Sequence, residues 1–203
     1  MATTWTHLAA RALVRPLIGT GVTPNHLTTL RLLTGLMACA GVALGTPAGA
    51  LWGGILWLIS AFLDRADGEL ARIGDMMSAQ GHAYDYFADV LINSLVFAAA
   101  GIGARHSWLG VWAAPLGVLA TISMLVSWVV GEWYQKLEGS GQKAYAGRWG
   151  FDVDDGLYLI APLIWFGLMS FVVVGAAAAT SVMAVIIIIR YQQLKARRAR
   201  NQP

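Results

Sequence analysis

Long apolar runs constrain this chain more than any other feature. Six can be read, at roughly residues 26–45, 47–68, 82–104, 107–134, 155–174 and 177–194. About 20 apolar residues of α-helix cross a bilayer's hydrocarbon. In that solvent every backbone N–H and C=O must be satisfied internally, which leaves helices or closed barrels. Runs of this length select helices. Charged residues make up 12% of the 203 and hydrophobic ones 57%, whereas soluble domains carry about a quarter charged. So few charges cannot cover a water-facing surface. The expectation is an all-α integral membrane protein, one domain over 1–203, with a short interfacial helix over 1–20, six transmembrane helices over 26–194 and a basic tail over 195–203.

Punctuation and charge refine that outline. Gly45-Thr46-Pro47 predicts a tight turn after the first run, and Gly175–Thr180 is the expected break between the fifth and sixth. In residues 1–20, His7, Arg11 and Arg15 interleave with Trp5, Leu8, Leu13, Leu17 and Ile18. That spacing suits a helix lying in the interface with its basic residues toward headgroups. With the N-terminus in the cytoplasm, every one of the fourteen basic residues except Arg105 falls on or near the cytoplasmic side, a strong positive-inside bias. The eleven acidic residues gather at the same face. Chemistry is expected there. The lone Cys39 lies in an apolar run and reads as a small buried hydrophobe.

The acidic residues are not scattered. Asp64 and Asp67 are three apart at the end of the second run, and Asp85 and Asp89 four apart at the start of the third. Each pair therefore shares a helix face, and antiparallel neighbours can bring all four together. Four clustered carboxylates repel and resist desolvation. Divalent cations relieve this, and hard oxygen ligands favour Mg²⁺ or Mn²⁺ over Zn²⁺. Gly68, Ala71 and Gly81 leave room for a ligand or helix to approach the backbone, and Arg72 offers a planar fork suited to phosphate.

The stretch from Asp64 to Asp89 reads D-x-x-D-G-x-x-A-R-x8-G-x3-D-x3-D. It resembles the full signature of CDP-alcohol phosphotransferases. Thr23-Pro24-Asn25-His26-Leu27-Thr28 is also similar to that family's lead into its first span, near the nucleotide site. The resemblance implies transfer of a substituted phosphate from a CDP-linked donor to an acceptor alcohol, with release of CMP. It implies two divalent ions, with Asp64, Asp67, Asp85 and Asp89 as the metal-binding aspartates. Asp89 would also be the base that takes the proton from the acceptor hydroxyl. Gly68 and Ala71 would leave room for cytidine, Arg72 would meet the donor's phosphates, and Gly81, Asn25 and Thr28 would complete the substrate site. A homodimer, membrane-lipid partners and a bacterial inner membrane are expected, with active site and both termini cytoplasmic and no nucleic-acid partner. CDP-diacylglycerol is the expected donor; a CDP-linked polar headgroup is the alternative.

The remaining polar residues have plainer readings. His7, His26, His82 and His106 are expected in local polar contacts, with His82 a candidate to line the site. Lys143, Arg148, Asp152, Asp154 and Asp155 suit either substrate or a helix flank. Arg190 is a candidate to face the site from the sixth span. Lys195, Arg197, Arg198 and Arg200 suit anionic lipid. A divalent-cation transporter is the rival of another class, but it needs acidic groups at mid-membrane or on both sides.

Overall fold

Close backbone contact between neighbouring helices organises the molecule, and small residues at the crossings permit it. The computed structural model describes residues 5–139 and 153–200, all helix and turn. Helix α1 (Trp5–Val14) is followed by α2 (Pro24–Leu44), α3 (Pro47–Ile73), α4 (Ala79–Gly103), α5 (Ala113–Glu138), the short α6 (Ile160–Trp165) and α7 (Met169–Arg200). Among the described residues five helices, α2 to α5 and α7, are long and apolar enough to cross a membrane. Large apolar side chains such as Leu33, Met37, Trp52, Ile122 and Val185 stand exposed along them. In a soluble protein that surface would drive association; in a membrane protein it faces lipid.

The helix boundaries follow from local chemistry. Proline opens α2 and α3 at the first helical position, where its missing N–H costs nothing. Thr46 Oγ1 caps α3 through the Gly49 N–H at 3.1 Å, and Ser78 Oγ caps α4 through the Gly81 N–H at 3.0 Å. Between α2 and α3 the chain turns at Gly45, whose φ of +68° is left-handed, as the Gly-Thr-Pro triplet predicts. A Cβ on Gly53 would lie 2.8 Å from the Val42 nitrogen, so α2 and α3 pack backbone to backbone. Helix α4 is central: its apolar stretch is more deeply buried than that of the other long helices described. It packs on α2 and α5, and α5 packs on α7.

The C-terminal region departs from expectation. Gly175–Thr180 does not break the chain; it lies inside α7, which runs unbroken for 32 residues. Ala176–Ala179 are strong helix formers, and their preference outweighs one glycine. The break falls instead at Phe166–Leu168, where Gly167 has φ +74°. The expected span 155–174 is thus a 3₁₀ stretch, Val153–Leu159, leading into the six-residue α6. Indole and phenol groups pin this segment antiparallel to α3. Trp57 Nε1 donates to the Leu157 carbonyl (2.8 Å), Tyr158 Oη to Ala61 (2.8 Å) and Trp165 Nε1 to Ala50 (3.2 Å).

Helix α1 also differs in detail. It is shorter than 1–20, and Ala10 and Val14 are buried, with Val14 clustered on Ala66 and Leu70 of α3. His7 and Arg11 turn toward the protein, not toward headgroups, because a buried carboxylate, Glu69, lies within reach.

Candidate active site

One face of α2 prepares the site. Thr28, Arg31, Gly35, Ala38 and Val42 recur at helical spacing and are buried, so this face looks into the bundle toward the ends of α3 and α4. Residues Asp64 to Arg72 are helical throughout, as the last turns of α3. Asp85 and Asp89 lie one turn apart on α4. The two aspartate pairs therefore meet across the α3–α4 hairpin, with Arg31 reaching in from α2.

Three of the four carboxylates converge closely. Asp64, Asp67 and Asp85 each offer an oxygen, and these oxygens lie within 4.8 Å of one another. Thr28 Oγ1 donates to Asp67 Oδ2 at 2.7 Å, while the other oxygen, Asp67 Oδ1, is buried without a hydrogen-bond partner. A buried polar atom left unsatisfied is costly, and an unpartnered carboxylate oxygen on a residue of an acidic cluster suits a cation. The all-oxygen donor set fits Mg²⁺ or Mn²⁺. Asp89 stands outside the trio. Its Oδ1 accepts from Arg31 Nη2 at 2.5 Å and from Asn93 Nδ2 at 3.3 Å.

Arg31, one of the basic residues that the sequence places near the cytoplasmic face, is central to the site. It is 2% exposed, and its Nη1 lies 3.1 Å from Asp64 Oδ1 and 3.4 Å from Asp85 Oδ1. One guanidinium thus serves three aspartates. A signal was present: an arginine inside an apolar run, three residues after Thr28, marks a buried polar face.

The trio separates two cavities. The larger, about 200 Å³, is lined by Asn25, Thr28, Asp67, Gly68, Ala71 and Arg72, and by Gly81, His82 and Asp85. Every residue expected around the nucleotide is here. A Cβ on Gly81 would crowd the capping Ser78 Oγ at 2.9 Å and Asn25 Oδ1 at 3.3 Å. The smaller cavity, about 30 Å³, has Arg31, Asp64 and Asp89 on one side and Trp128 and Tyr158 among its other walls. Arg72 is not free in the larger cavity; it pairs with Glu69.

Other expectations fall elsewhere. His26 Nδ1 accepts from the Thr23 N–H at 3.2 Å, a local contact at the start of α2. Arg190 is exposed and lines neither cavity. Lys143, Arg148 and Asp152 lie outside the described residues, as do the side chains of Asp154 and Asp155.

Comparison with solved structures agrees with this architecture. Two crystal structures of phosphatidylinositol phosphate synthase from Mycobacterium tuberculosis share the fold. One, with CDP-DAG bound, is 20% identical, with a TM-score of 0.59 over 92% of this chain and 93% of that one. The other, in complex with manganese and citrate, is also 20% identical, with a TM-score of 0.60 over 92% and 88%. No curated protein sequence matches this chain. The CDP-alcohol phosphatidyltransferase family model matches residues 21–191, a range that holds the whole signature and both cavities. The chain therefore belongs to the CDP-alcohol phosphatidyltransferase family.

Proposed function

We propose that this enzyme transfers a phosphatidyl group from CDP-diacylglycerol to the hydroxyl of an acceptor alcohol, releasing CMP, in phospholipid synthesis. The observation that carries the reading is the larger cavity. Its walls combine small residues, Gly68, Ala71 and Gly81, with polar Asn25 and Thr28 and with two of the clustered aspartates. Such a cleft accepts a flat nucleoside while presenting its diphosphate to the acidic trio. The similar synthase crystallised with CDP-DAG and with manganese supports donor and metal alike. The cation-transporter alternative has no comparable support.

Asp64, Asp67 and Asp85 would hold divalent Mg²⁺ or Mn²⁺. When bound, such ions neutralise the diphosphate and stabilise charge on the leaving group. Asn25 and Thr28 orient the nucleotide, and Arg72 meets the donor's phosphates. Asp89, outside the trio, is the base that takes the proton from the acceptor hydroxyl. Arg31 and Asn93 hold its Oδ1, which fixes the carboxylate in place for that proton transfer. The acceptor then approaches from the smaller cavity, which Asp89 lines. Purified protein in detergent, given CDP-diacylglycerol and a panel of small alcohols, should release CMP and form a new phospholipid on thin-layer plates. Release of CMP only from CDP-linked headgroups would move the donor to that class.

We also propose one catalytic unit of six crossings with α1 at the interface, a homodimer, and both termini cytoplasmic. The segment Val153–Trp165 supports the sixth crossing, since it runs antiparallel to α3 and returns through Gly167 into α7. Cysteine placed at Gln202 should resist an impermeant thiol reagent in intact cells, and cysteine at Ser107 should react. Outside labelling at Gln202 would overturn this topology.

A further inference from the structure

Glu69 occupies an unspecified position of the signature, yet it is among the most buried side chains in the molecule, 0% exposed. Two residues on from Asp67, it projects to a different face of α3. There it meets α1. His7 Nδ1 lies 3.0 Å from Oε1 and Arg11 Nε donates to Oε2 at 2.9 Å. Arg72, one turn on, also donates to Oε1 through Nη1. Val14, Ala66 and Leu70 pack beside this cluster, so the carboxylate is covered while Arg11 and Arg72 stay half exposed.

The other end of the Arg72 fork points elsewhere. Nη2 lies 3.2 Å from where a Cβ on Gly68 would stand, so the guanidinium lies back over Gly68, on the wall of the larger cavity. An unbraced arginine that is half exposed would spread over many rotamers, and fixing it on a ligand costs entropy. We propose that Glu69, clamped by His7 and Arg11, is a positioning residue that holds Arg72 against the donor cavity for a nucleoside diphosphate, so that α1 takes part in donor recognition. This rests on the reading that Arg72 meets the donor's phosphates.

The test uses the full chain in detergent with Mn²⁺, and CDP as the probe. Calorimetric binding of CDP is measured beside the KM for CDP-diacylglycerol and kcat. Arg72→Ala should weaken CDP binding by about tenfold or more. Glu69→Gln should weaken it and raise KM by about tenfold, with kcat within about twofold. Added to Arg72→Ala, it should change CDP binding less than about twofold, because the two act as one unit. Arg11→Gln, at a half-exposed side chain, should give a smaller rise of about threefold whether or not Glu69→Gln folds. If Arg72→Ala leaves CDP binding unchanged, the reading of Arg72 itself falls and this inference with it. If Arg72→Ala weakens binding while Arg11→Gln and any folded Glu69→Gln do not, the reading stands and this inference is overturned. Independent, multiplying losses from Glu69→Gln and Arg72→Ala overturn it as well.

Discussion

Two charged clusters hang from the last turns of α3, and they are opposites. On one face, Asp64, Asp85 and Asp89 share a single guanidinium, Arg31, and Asp67 keeps one buried oxygen without a partner. On another face, a single carboxylate, Glu69, is shared by His7, Arg11 and Arg72. The first has anionic capacity to spare; the second has its carboxylate fully engaged. Burial alone does not distinguish them, since both contain almost fully buried charge. The ratio of partners does. A cluster with carboxylates in excess is suited to cations from solution, whereas one with cations in excess is a closed bracket whose free valence is positive and faces an anion.

The largest effects should come from removing what the aspartate cluster requires. EDTA should abolish CMP release, and Mg²⁺ or Mn²⁺ should restore it. Asp67→Asn should lower activity to the uncatalysed background and weaken Mn²⁺ binding while the bundle still folds. Full turnover in a rigorously metal-free sample would make the excess of carboxylates irrelevant to catalysis. Next comes Asp89, which stands outside the trio. Asp89→Asn keeps shape but removes the proton acceptor, so transfer should fall by about a hundredfold or more, with CDP binding within a few-fold of wild type. Rescue of that rate by excess Mn²⁺ would instead place Asp89 among the metal ligands.

Arg31 offers a sharper comparison, in stability. Arg31→Met keeps bulk but leaves three carboxylates without their shared guanidinium. Breaking a buried pair on one side costs about 3 kcal/mol or more. The loss should appear as a lower melting temperature in EDTA. Because a ligand that binds only the folded state stabilises it, Mn²⁺ should recover more stability in the variant than in wild type. A deficit that stays the same at saturating Mn²⁺ would show that Arg31 acts through packing instead.

The two clusters were unequally legible in the sequence. The aspartates stand at fixed spacings on helices whose apolar runs are plain, so their convergence follows from helix geometry. The small residues beside them mark where a ligand needs room. Arg31 is legible as a charge inside an apolar run, but not as the partner of three aspartates. Its role depends on which face of α2 turns inward, and that is set by packing against α3 and α4. Glu69 sits where any residue is allowed, and besides the local Arg72 its partners are 58 and 62 residues away on α1. Nothing local encodes such a contact. The misplaced C-terminal break has a similar cause. Trp165 and Phe166 read as one more apolar stretch, and the left-handed turn at Gly167 shows only in the backbone.

The smallest effect is expected from a third charged pair, one that is neither buried nor shared. Lys136 Nζ lies 2.6 Å from Glu132 Oε1 near the end of α5, with side chains 72% and 42% exposed. The spacing is i, i+4, and Glu132 Oε2 also accepts from Tyr86 Oη at 3.2 Å. By distance alone this bridge is shorter than those Arg31 makes to Asp64 and Asp85. Solvent screens it, however, and both long side chains lose freedom in forming it, so exposed pairs of this kind contribute about 0.3–0.5 kcal/mol. Lys136→Ala should therefore leave the melting temperature nearly unchanged. The Tyr86 hydrogen bond survives the substitution, so the α4–α5 contact persists. CDP binding and turnover should also stay within about twofold, since Lys136 lines neither cavity. A tenfold loss of turnover with normal CDP binding would mean that the end of α5 meets the acceptor. The division between buried, shared charge that works and exposed, paired charge that does not would then fail at this helix.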